Sequence, residues 1–158
     1  MDPKWWLLIH LSGVLGLLGS HGASMAVLFK LRRERDRTRI EHLLQLSGST
    51  VIPLYVSLAL LLTGGIVGGI DGHFFWQRWI TLSLIVLAIT MIVMYAIAMP
   101  YYKRIREALG VRPSGVPRVS DEELEALLGS AKSTVVAVVG FGGFLIILYL
   151  MIWKPGIV

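Results

Sequence analysis

Two of the four histidines lie inside a long apolar segment near the start of the chain. His10 and His21 are eleven residues apart. On a helix this spacing is about 20° from three full turns, so the two imidazoles share a face and lie about 16 Å apart along the axis. An ionisable side chain inside a membrane span is costly and marks a candidate functional site. The alternative is a neutral histidine that only satisfies a hydrogen bond across a helix bundle.

Haem ligation is the chemistry that these histidines indicate. Imidazole is a common axial ligand of haem iron, and methionine can supply the second ligand. His10 is predicted at a height comparable to that of His73 in an outer loop, and His21 at a depth similar to that of Met91. The candidate cofactor is therefore haem b, with His10 and His21 as the first candidates for iron ligands and His73 and Met91 as their respective partners. Methionines in a span more often serve packing than ligation.

Other chemistries find little support. The sequence has no His-Glu-x-x-His zinc motif, no G-x-S-x-G elbow, no phosphate loop and no cysteine. Its acidic residues all lie in loops or at helix starts, which disfavours a carboxylate-driven transporter. A cofactor-free accessory or ligand-binding subunit, and a transporter of a small molecule or metal, remain open. Whether the protein is an enzyme is also open.

The elements that must position these residues are membrane spans. Of the 158 residues, 55% are hydrophobic and only 16% are charged, whereas soluble domains carry about 25% charge. A span needs about 20 mostly apolar residues. Four segments qualify, and they predict an all-α polytopic membrane protein that is a four-transmembrane-helix bundle and a single domain over 1–158. The spans are 5–29, 51–70, 74–99 and 134–153.

The distribution of basic residues predicts the orientation. Twelve of the 15 lysines and arginines lie in the loops 30–50 and 100–133, and only Lys4, Arg78 and Lys154 lie elsewhere. The positive-inside rule therefore places both loops in the cytoplasm and both termini outside, and all five tryptophans then fall at the outer face. The first apolar segment is too long for a signal peptide and is followed rather than preceded by its charges, so we expect a retained span. The predicted location is the cytoplasmic (inner) membrane.

The basic loops do not indicate a nucleic-acid partner, because topology and anionic lipids explain them. The expected partner is the lipid bilayer, and a soluble partner is not identified. Small residues recur in the first span at Ser12, Gly16, Ser20 and Ser24. Such stripes allow close helix packing; they could also leave room for a flat ligand or form a homo-oligomer interface.

Three local features complete the prediction. A helix from Arg39 to Ile70 is too long to cross upright, so we expect a bend near Gly48 or Pro53. The segment 110–117 is predicted to be a flexible connector, because it is rich in glycine and proline. Ser120 and Glu123 have the spacing of a capping box at the start of the next helix.

Three motifs carry a resemblance to a known family. Ile9-His10-Leu11-Ser12-Gly13, Ile52-Pro53-Leu54-Tyr55 with Leu62-Thr63-Gly64, and the segment from Trp79 to Leu84 resemble a family of bacterial integral membrane proteins of unknown function. That family is distantly similar to the CopD copper-resistance membrane domain and to HemJ-type protoporphyrinogen oxidases. The resemblance implies four helices and a place for His10 that matches a haem-b-associated histidine. It implies no reaction, because Arg78 stands nearest to the lysine of those enzymes and the third span has no histidine.

Overall fold

The computed structural model describes residues 2–155, and among them it contains six α-helices. Met1 and residues 156–158, which the single-domain prediction includes, lie outside the described residues. Four helical segments are long and apolar enough to cross a membrane, which confirms the prediction of an all-α protein with four spans. The helices are α1 (Pro3–Leu31), α2 (Arg37–Ser49), α3 (Val51–Asp71), α4 (Arg78–Leu109), α5 (Asp121–Leu128) and α6 (Lys132–Trp153).

The second span is divided into two helices at Thr50, between the two predicted bending points. Thr50 ends α2, and its hydroxyl donates a 2.8 Å hydrogen bond to the carbonyl oxygen of Ser47. Pro53 lies in the first turn of α3, where a missing backbone N–H costs little. The amphipathic α2 is thus a separate element from the apolar α3.

The third span differs from the prediction at both ends. It begins at Arg78 rather than at Phe74, because the backbone N–H groups of Phe74 and Phe75 both donate to the carbonyl oxygen of Gly69 and close the end of α3. At the other end, α4 continues beyond Met99 to Leu109 and contains Pro100. Part of the predicted cytoplasmic loop is therefore helical.

The segment between α4 and α5 is an ordered turn rather than an open connector. Val111 and Pro117 form an antiparallel bridge, and the N–H of Arg118 donates to the carbonyl oxygen of Gly110 at 3.0 Å. The turn returns the chain to the end of α4. Ser120 and Glu123 then form the predicted capping box at the start of α5, which is confirmed.

The spans are arranged as two pairs. α1 packs along α3, and α4 packs along α6, whereas α1 and α6 meet over a short stretch. The pairs are joined mainly at the end assigned to the cytoplasm, where α2 and α5 contribute to one buried apolar cluster. Its largest fully buried members are Leu28, Leu31, Ile40, Tyr101, Ile105 and Leu128.

Arg37, in the first turn of α2, connects several segments at this end of the bundle. Its guanidinium donates to Oδ1 of Asp121 at 2.9 Å, to the carbonyl oxygen of Val119 at 2.8 Å and to that of Ala108 at 3.3 Å. These acceptors belong to three different segments: the end of α4, the approach to α5 and α5 itself. Elsewhere, large apolar side chains such as Ile52, which is 75% exposed, cover the surface as a lipid environment requires.

Candidate functional site

Glycines bring the backbones of α1 and α3 into contact around His10. A Cβ built on Gly13 would overlap the backbone of Leu61 and Ser57, and one built on Gly64 would overlap the backbone of His10 and Trp6. In a membrane the hydrophobic effect does not drive helices together, so association depends on such close packing. Two members of the small-residue stripe noted in the sequence contact neighbouring helices: Gly16 packs on Ser57, and Ser24 hydrogen-bonds to Ser47 at 3.1 Å.

The close approach of the two helices orients the imidazole of His10. Nδ1 of His10 lies 2.8 Å from the carbonyl oxygen of Leu61. A carbonyl can only accept, so Nδ1 carries the proton and donates it. In the neutral ring, Nε2 then keeps its lone pair. Gly65 makes room for the ring, because a Cβ there would lie 2.9 Å from Nδ1. The result is a half-buried histidine with a defined tautomer.

His21 has different surroundings. Its ring packs edge-on against Phe141 of α6, with 5.3 Å between ring centroids. Its Nε2 abuts Gly140, where a Cβ would overlap the ring. This nitrogen is buried and makes no hydrogen bond to any of the residues that the structure describes. The two histidines of α1 therefore contact different helices, α3 for His10 and α6 for His21.

The structure does not bring His73 to the level of His10. His10 packs beside Gly64 and Gly65, whereas α3 continues from there to Asp71 before the turn that contains His73. Those six residues of helix add about 9 Å of height. His73 is exposed and has a left-handed backbone, with φ of 59°. The pairing of His10 with His73 as ligands stays a prediction.

Met91 lies near the depth of His21, on helix α4, which packs along α6. Thr90, the preceding residue, packs on Gly143, and Gly143 is one helical turn from Gly140, about 4.5 Å along the axis. Met91 itself is half-buried. Nε2 of His21 abuts the backbone of α6 at Gly140, and the pairing of His21 with Met91 as ligands stays a prediction.

The site as a whole is therefore one oriented imidazole rather than a ligand cluster. Within residues 2–155, no group of three or more histidine, cysteine or acidic side chains could hold a metal ion. Sequence reasoning missed the carbonyl of Leu61, since no residue type signals a backbone acceptor. It also missed Gly140 as the neighbour of His21.

Comparison with known proteins gives a family but no activity. A family model described as "Predicted integral membrane protein (DUF2269)" matches residues 6–155. No curated protein matches the chain, and no solved structure does. The match supports the resemblance to a membrane family of unknown function; it does not show the similarity to CopD or HemJ-type proteins. Because it covers nearly all of the described chain and agrees with the four apolar spans, this multi-pass membrane protein belongs to the DUF2269 family of integral membrane proteins.

Proposed function

We propose that this protein is a haem-b-binding redox or electron-transfer protein of the inner membrane, with Nε2 of His10 as an axial ligand. The hydrogen bond from Nδ1 of His10 to the carbonyl oxygen of Leu61 supports the proposal. Metal-ligating histidines almost always donate their other ring N–H to a carbonyl, a carboxylate or water, which fixes the tautomer and makes the ligating nitrogen more basic. His10 has this arrangement of its Nδ1.

The packing of the helices restricts where a porphyrin could lie. It cannot lie between α1 and α3, because their backbones touch at Gly13 and Gly64. The outer half of α1 also carries exposed apolar side chains, including Leu7, Leu11 and Leu15, and cofactor sites are lined mostly by such groups. Because the ring of His10 itself packs on α3 at Gly65, a porphyrin held by this histidine would lie at the edge of the α1–α3 contact.

When bound, haem b supplies one-electron transfer. The contribution of this chain is the axial imidazole and its surroundings. The carbonyl of Leu61 holds the ring and increases the electron density on Nε2, and the glycine contacts of α1 with α3 hold that carbonyl in place. Both effects tune the potential of a haem.

A cofactor-free accessory or ligand-binding subunit is the second candidate. It is favoured by the contacts of His21, whose ring only fills space against Gly140 and Phe141. Under this alternative the hydrogen bond of His10 serves helix association and nothing else. The two candidates differ in one property that is simple to measure, namely the presence of a pigment.

The test is an absorption spectrum of the protein purified in detergent from cells supplied with ample haem. The proposal predicts a Soret band, visible bands that sharpen on reduction with dithionite, and about one haem b per chain. His21→Ala is the matched control, because it removes an imidazole from the same helix, and it should keep the spectrum. A colourless, folded wild-type protein would contradict the proposal and leave the cofactor-free subunit.

A further inference from the structure

A groove of about 800 Å³ lies beside α4 at the cytoplasmic end of its span. The side chains that line the groove change from apolar to basic along α4. Tyr95 and Met99 lie on the membrane side of the groove, and Lys103 and Arg106 follow on the same helix. Each of these four residues is three or four positions from the next, so all four lie on one face of α4. The step from Met99 to Arg106 spans about 10 Å along the axis.

The third cation of the groove comes from the ordered turn after α4. Arg118 lines the groove, and its guanidinium packs over the end of α4, since a Cβ on Gly110 would lie 3.1 Å from its Nε. The backbone of Arg118 is held by two hydrogen bonds: its N–H donates to the carbonyl oxygen of Gly110, and its carbonyl oxygen accepts from Nη2 of Arg112. The turn thus places this positive charge opposite α4.

The charges of the groove are only partly neutralised. Lys103 has the carboxylate of Glu107, another lining residue, at 3.9 Å. Arg106 and Arg118 form no ion pair with any acidic residue in the described part of the chain. Three cations and one carboxylate therefore leave the polar end of the groove positive, next to an apolar end at membrane depth.

We infer that this groove binds one anionic phospholipid of the inner leaflet. Its phosphate would lie between Arg106 and Arg118, and its acyl chains would run along Tyr95 and Met99. Guanidinium groups form strong, charge-assisted hydrogen bonds with phosphate, and basic pockets on the cytoplasmic side of membrane spans are suited to anionic headgroups. A soluble phosphate would use the cations but would gain nothing from the apolar wall. The inference is independent of the haem proposal, because no histidine takes part.

Native mass spectrometry of the detergent-purified protein tests this inference. Dioleoyl phosphatidylglycerol and dioleoyl phosphatidylcholine serve as probes. The groove variant is R106Q/R118Q, and the matched control is R33Q/R39Q, which removes the same charge from exposed positions on the same side of the membrane. We expect phosphatidylglycerol to bind the wild type in preference to phosphatidylcholine. If each interfacial cation contributes a factor of about five, the groove variant, which loses two, should bind it about twenty-five-fold more weakly.

The control variant should retain its affinity within about twofold, and R106K/R118K should retain most of it, which separates loss of charge from loss of folding. Equal losses in R106Q/R118Q and R33Q/R39Q would overturn the inference, because the binding would then follow overall surface charge. Equal binding of the two lipids by the wild type would also overturn it. So would complete displacement of phosphatidylglycerol by inorganic phosphate at the same concentration, since the groove would then recognise a soluble anion.

Discussion

His10 and His21 lie on one helix and are both partly buried, but the structure treats them differently. The ring of His10 donates to a backbone carbonyl and keeps Nε2 for another partner. The ring of His21 fills a space above a glycine, and its buried Nε2 has no partner among the described residues. Burial alone therefore does not distinguish the two histidines, whereas the hydrogen bond to Leu61 does. This difference is the basis on which we propose His10, rather than His21, as the ligand.

The glycine contacts beside the two histidines also differ. Beside His10, glycines bring backbone against backbone, and little can move. Beside His21, a glycine meets the end of a side chain, which can turn away. Substitutions at these glycines should therefore differ in how much they lower the free energy of unfolding, and they test whether the two sites differ in this way.

The largest effect is expected for Gly13→Ala. The added methyl group would overlap the backbone of α3, and overpacking of this kind costs about 1–3 kcal/mol in the free energy of unfolding. Gly19→Ala is the control on the same helix, because nothing lies within 4 Å of a Cβ there; alanine should stabilise the helix by about 0.5–1 kcal/mol. Reversible unfolding in mixed micelles measures both values. If the two variants were equally stable, α1 and α3 would not be in backbone contact.

A smaller, conditional effect is expected for Gly140→Ala. Its methyl group would overlap the imidazole of His21, so the cost should depend on that ring. In a His21→Ala background the same substitution should cost little, which gives a coupling free energy of about 1 kcal/mol in a double-mutant cycle. A cost that is unchanged by the removal of His21 would show that Gly140 serves a contact other than the one with His21.

Substitutions of the histidines themselves, in protein without cofactor, should have effects no larger than this. His10→Leu removes a hydrogen bond and leaves the carbonyl of Leu61 without this donor, which should cost about 1 kcal/mol. His21→Leu replaces a nitrogen that has no partner, so it should leave the stability unchanged or raise it slightly. The same unfolding measurement applies. A larger loss for His21→Leu than for His10→Leu would reverse the comparison.

The sequence predicted the four spans, a bend of the second helix near Gly48 or Pro53, where the structure has a division at Thr50, and the capping box at Ser120, because these features depend on local composition and spacing. The sequence also identified His10 and His21 as candidate site residues. It could not show which helix each histidine contacts, since an angular position on α1 does not fix the crossing of its neighbours. The carbonyl of Leu61 and the turn that places Arg118 beside α4 both depend on tertiary packing, which no single motif encodes.

Rescue by free imidazole tests the central claim most directly. The absorption spectra of His10→Gly and His21→Gly are recorded after purification with haem, each with and without added imidazole. We predict that His10→Gly loses the Soret band of the wild type and regains it with imidazole, which enters the space left by the side chain, whereas His21→Gly keeps the band throughout. A folded His10→Gly protein that retains a wild-type spectrum, or a His21→Gly protein that alone requires imidazole, would contradict the assignment of His10 as the ligand.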